Sequence, residues 1–132
     1  MGKLKLYFPA IVWGLIIVFI SSYPGQNIPK VTVWQFDKLV HSIIYAVFSI
    51  CLLIACYKEY KVDDNRLKIN IFVLFFGVFY GGIMEILQNN IFINRNGNWY
   101  DFIANTIGAI IGVLNYPLVI KYLPISRWLK IK

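Results

Sequence analysis

The sequence predicts an all-α fold, an integral membrane bundle of four transmembrane helices. Composition is the first reason. Of 132 residues, 59% are hydrophobic and 14% charged, and the mean hydropathy is +0.65. That leaves too little polar surface for a water-soluble domain. The second reason is grouping: the apolar residues fall into four runs, each close to the ~20 residues that carry a helix across a bilayer. The third is punctuation, since basic residues and proline- or glycine-containing stretches separate the runs. The length fits one membrane domain, residues 1–132.

The first span is predicted over residues 7–22, with Pro9 in its opening turn and "SSYPGQNIP" ending it. Lys3 and Lys5 ahead of an apolar run would also suit a signal peptide. "FISSYPG" offers no small-residue cleavage pattern, so the segment is read as a retained span. The second span covers residues 35–57. Between Lys38 and Lys58 its ionisable side chains are His41, Tyr45, Cys51, Cys56 and Tyr57. The third covers residues 69–90, where "FVLFFGVFYGGIM" runs into Glu85, and the fourth covers residues 100–122.

Basic residues set the orientation. Lys3, Lys5, Lys58, Lys61, Arg66, Lys68, Lys121, Arg127, Lys130 and Lys132 lie on one side, against Lys30, Lys38 and Arg95 on the other. By the positive-inside rule both termini and the Lys58–Lys68 loop are cytoplasmic, and the other two loops face outward. Trp34, Trp99 and Tyr100 then suit the outer aromatic belt and Trp128 the inner one. This topology also accounts for the net charge of +7, and no basic stripe marks a nucleic-acid site.

Some chemistry is excluded. One histidine rules out a multi-histidine metal site. Cys51 and Cys56 are five apart, on different faces of a helix, which argues against a disulfide or a metal pair. No H-E-x-x-H, G-x-S-x-G or P-loop pattern occurs.

The remaining polar residues gather at one end of the spans. Asp37, Lys38 and His41 open the second, Glu85 and Gln88 close the third, Arg95 follows in the loop, and Asp101 and Asn105 open the fourth. Asp37, His41 and Tyr45 share one helix face; Glu85 and Gln88 share another; Asp101, Asn105, Gly108 and Gly112 share a third. Gly108 and Gly112 are spaced for close helix contact, and Gly77 and Gly81 repeat the pattern in the third span. Taken singly, these residues read as snorkelling charges, helix-terminal anions or interhelical glue. As a set at one membrane face they read as a site, because ionisable groups within spans cost on the order of 2.5–3.5 kcal/mol at the bilayer centre.

These residues resemble the VanZ-like family of small bacterial membrane proteins. "DKLVHSIIY", "EILQ" and "RNGNWYDFIANTIGAIIG" are similar, in order, to its D-K-x-x-H-x-x-x-Y block, its E-x-x-Q block and its arginine followed by D-x-x-x-N-x-x-G-x-x-x-G. The turn around Arg95 departs from the family's proline-containing form and uses asparagine and glycine. The resemblance implies a bacterial inner-membrane location and a link to glycopeptide antibiotic resistance. It does not specify an activity.

Two functions from different classes suit the set. In the first, an enzyme acts on a lipid-linked or other envelope substrate. His41 is its general acid/base, oriented by Glu85 or Asp101, with Asp37 also catalytic. Lys38 and Arg95 hold a phosphate or carboxylate, and Gln88, Asn105 and Tyr45 complete the binding surface. Alternatively, Asp37, Glu85 and Asp101 hold a divalent cation that bridges the substrate. In the second, the cluster is a structural network in a binding or accessory module. Transport is disfavoured, because no inverted repeat is visible.

Overall fold

The computed structural model describes residues 4–24, 34–92 and 97–123. Among them run α1 (Leu4–Ser22), α2 (Trp34–Ala55), the short α3 (Tyr57–Tyr60), a 3-10 turn (Asp63–Asn65), α4 (Arg66–Asn90) and α5 (Trp99–Tyr122). α1, α2, α4 and α5 are each long and apolar enough to cross a membrane. Arg95, Lys3, Lys30, Arg127, Lys130, Lys132 and Trp128 lie outside the described residues, as does the Trp34 side chain.

The helices begin up to three residues before the predicted spans. Hydropathy marks the part of a helix that sits in hydrocarbon. Backbone hydrogen bonding carries it further, into polar flanks such as Arg66–Lys68. α1 likewise starts at Leu4, which puts Pro9 in its second turn. α2 stops at Ala55, and Cys56 turns the chain into α3.

α2 is the central element and packs most extensively on α5, then on α1 and α4. Glycine makes the α2–α5 approach that close. A Cβ on Gly108 would overlap the Ser42 carbonyl, and one on Gly112 the Ala46 carbonyl. Gly77 packs more loosely: a Cβ there would lie 3.5 Å from Ala109 Cβ and from Ser49 Oγ. Side chains then tie helix to helix through backbone carbonyls. Ser42 Oγ donates to the Ala104 carbonyl, Trp13 Nε1 to that of Ile44, Tyr80 OH to that of Gly14 and Tyr116 OH to that of Leu53. Such bonds hold helices together where lipid removes the hydrophobic drive between them. Away from the helix contacts the surface is apolar, with Leu15, Phe19, Phe75, Phe79 and Leu114 exposed, which suits a bilayer rather than water.

Candidate functional site

One end of the bundle is polar. It is formed by the last turns of α1 and α4 and the first turns of α2 and α5. α5 starts cleanly there, because Asn98 Oδ1 accepts the Tyr100 N–H at 3.0 Å and caps the helix. That start fixes Asp101 one turn in and Asn105 one turn further, both buried. The Gly108–Ser42 contact sets α2 against α5 at short range, so Lys38 and His41 meet these two residues.

Lys38 Nζ donates to Asp101 Oδ1 and, at 3.1 Å, to Asp37 Oδ2. The other oxygen of each carboxylate faces His41: Nε2 lies 3.8 Å from Asp37 Oδ1 and 3.9 Å from Asp101 Oδ2. Both distances exceed a hydrogen bond. The opposite ring nitrogen is held, with Nδ1 2.9 Å from Asn105 Oδ1. Asn105 Nδ2 in turn donates to Glu85 Oε1 at 3.4 Å, and the Asn98 backbone N–H donates to Glu85 Oε2 at 2.9 Å. The carboxylate therefore orients the amide, and the amide oxygen orients the imidazole.

Asp37, Lys38, His41, Glu85, Asp101 and Asn105 are thus one connected cluster. Gln88 is buried but turns to α1, where Nε2 donates to the Ser21 carbonyl at 3.5 Å. Tyr45 is buried below the cluster, and its hydroxyl has no hydrogen-bond partner among the described residues. Gly81 makes room for it: a Cβ there would lie 3.2 Å from Tyr45 Cε1 and 3.4 Å from Asn105 Cβ. Glu85 stands behind Asn105. Among the described residues, the donors close enough to share a metal ion are those of Asp37, His41 and Asp101. Beyond Glu85 lies a cavity of about 370 Å³ lined by Asn89, Asn98, Trp99 and Phe102 among others.

Asn98 is the member that the sequence reading left out. Its signal was present, since an asparagine just before "WYD" is a helix N-cap pattern. Its backbone contact with Glu85 had no signal, because it depends on how α4 and the start of α5 meet.

The family model described as VanZ/LLP1 matches residues 6–120. The chain belongs to the VanZ/LLP1 family. The match takes in α2, α4 and most of α5, and with them each residue of the cluster. No curated protein and no solved structure gives a significant match. For this VanZ/LLP1 protein, function therefore has to be argued from the site.

Proposed function

We propose that the polar end of this VanZ/LLP1 protein faces outward from a bacterial inner membrane, with both termini cytoplasmic, and binds and processes an anionic, lipid-linked envelope substrate. The split of basic residues, ten against three, supports the orientation. The observation that carries the proposal is the held imidazole. His41 is fixed at Nδ1 by Asn105 and Glu85, while Nε2 faces two carboxylates and hydrogen-bonds to neither. A network that only closed a bundle would satisfy both nitrogens. Here one is spent on orientation, and the other is the atom presented to a ligand.

In this proposal Asp37, His41 and Asp101 form the reactive corner, and Glu85 is a positioning residue acting through Asn105. Lys38 is already paired with Asp37 and Asp101, so Arg95 is the cation for a substrate phosphate or carboxylate. A cluster at the end of the helices lies at headgroup depth, which suits a substrate anchored by its own lipid. The test is turnover of lipid-linked phosphates and pyrophosphates by purified protein. His41→Ala should lower turnover by at least ~10²-fold. Wild-type turnover in both His41→Ala and Glu85→Gln would remove these residues from the reaction.

A structural network in an accessory module has its own supporting observation, the Lys38 ammonium closed between Asp37 and Asp101. Thermal melts separate the two. If His41→Ala, Glu85→Gln and Asp101→Asn all unfold the protein, the cluster is structural. If the first two leave the melt unchanged or raise it, the cluster is a functional site.

A further inference from the structure

We propose that Asp37, His41 and Asp101 bind one divalent transition-metal ion through Asp37 Oδ1, His41 Nε2 and Asp101 Oδ2. This deepens the function proposed above and rests on it only for the substrate that would meet the ion.

The division of labour within each carboxylate is the first support. Asp37 gives Oδ2 to Lys38 and turns Oδ1 to His41, and Asp101 gives Oδ1 to Lys38 and turns Oδ2 to His41. The two oxygens that face Nε2 are therefore distinct from the two that bond Lys38. The second support is the other side of the ring. A histidine that ligates a metal donates its remaining N–H to a carbonyl or carboxylate, which fixes the tautomer and aims the lone pair. His41 Nδ1 stands 2.9 Å from Asn105 Oδ1, placed to donate in this way, and Glu85 holds that amide in place. With the proton on Nδ1, the lone pair of the neutral ring is on Nε2, aimed at two anionic oxygens. A cation placed between them, a metal ion or a proton on Nε2, makes that arrangement attractive.

Geometry and charge agree. Nε2 is 3.8 and 3.9 Å from the two oxygens, and all three donors lie within 4.8 Å of one another. Donors so spaced surround a point roughly 2–2.5 Å from each, a range that takes in metal–nitrogen and metal–carboxylate bond lengths. Among the described residues, the cluster sets the carboxyl groups of Asp37, Asp101 and Glu85 against the ammonium of Lys38, a balance that favours a dication. One imidazole and two carboxylates suit zinc, manganese or cobalt better than calcium or magnesium, which prefer all-oxygen sites. Three protein ligands leave positions for water or for a headgroup oxygen, as catalytic zinc sites do.

The test uses the full chain in detergent after chelator treatment, with zinc alone as the probe. His41 is the sole histidine, so imidazole-¹⁵N labelling gives the two nitrogens of one residue. Zinc should bind one per chain, move the Nε2 resonance and leave Nδ1 protonated. Asn105→Ala should weaken binding by about 10–100-fold. Asp37→Asn should weaken it at least as much, and the exposure of Asp37 makes this the variant least prone to misfold. Replacing Cys51 and Cys56 together with serine should leave binding unchanged. An Nε2 resonance that stays still at saturating zinc overturns the proposal. So does wild-type affinity in Asp37→Asn, or binding that disappears with the cysteines. No substrate is present, so failure here counts against the metal site alone. Zinc binding without turnover would count against the substrate reading alone.

Discussion

Nδ1 of His41 and Oδ1 of Asn105 stand 2.9 Å apart, and this contact decides which ring nitrogen carries the proton. The other end of the amide faces Glu85, which as a carboxylate only accepts, so the Asn105 NH₂ must point there and its oxygen toward His41. A side chain 13 residues before the start of the α5 cap's N–H bond thereby governs a ring on α2, since Glu85 is also tied to the Asn98 backbone.

Lys38 and Asp101 are both largely shielded, with side chains 16% and 10% exposed. Lys38→Met leaves Asp101 without its ammonium and should cost about 3–5 kcal/mol, as for a broken buried pair. Adding Asp101→Leu should recover most of that loss. Asp37 is 61% exposed, and Asp37→Asn should cost no more than ~1 kcal/mol. Thermal or denaturant unfolding in one detergent checks all three.

Gly108 backs directly onto the Ser42 carbonyl, with no space for a methyl group. Gly108→Ala should force α2 and α5 apart and cost about 1–3 kcal/mol as overpacking. It should also lengthen the Lys38–Asp101 and His41–Asn105 contacts. Gly77→Ala meets only ordinary contacts at 3.5 Å and should be close to neutral. Melting temperatures of the two variants make the comparison.

Tyr45 buries a hydroxyl that has no hydrogen-bond partner among the described residues. Tyr45→Phe removes an unsatisfied group costing about 1–3 kcal/mol and should raise stability or leave it unchanged. If Tyr45 instead binds substrate, the same variant should raise KM in the turnover assay with the melt unaffected.

Much of the fold was legible because lipid imposes simple rules. Four apolar runs of bilayer length mark α1, α2, α4 and α5, and the i, i+4 spacing of Asp37 with His41 and of Asp101 with Asn105 marks faces that turn out to meet. The glycine spacing at Gly108 and Gly112 marks the face where α5 approaches α2. Partner choice was not legible. Spacing does not tell that Glu85 reaches His41 through Asn105, or that Gln88 turns to Ser21, because both depend on how α4 is rotated against its neighbours. Helix ends were blurred for a related reason: hydropathy senses lipid, and Arg66–Lys68 remain helical beyond it.

Orientation is open to direct labelling. In a background with Cys51 and Cys56 replaced by serine, Asp37→Cys should react with a membrane-impermeant maleimide in intact cells. Lys58→Cys should react only after lysis. The reverse pattern would place the cluster on the cytoplasmic side.

The central claim is that Glu85, through Asn105, holds His41 with Nε2 presented. The most direct measurement is the imidazole ¹⁵N spectrum of the metal-free protein at a pH where the ring is neutral. Wild type should show a single tautomer, with Nδ1 protonated and Nε2 bare. In Glu85→Gln, one amide oxygen faces two donors, so Asn105 should reorient and the Nε2-protonated form should appear. A wild-type spectrum already dominated by the Nε2-protonated form, or a Glu85→Gln spectrum identical to wild type, would contradict the account.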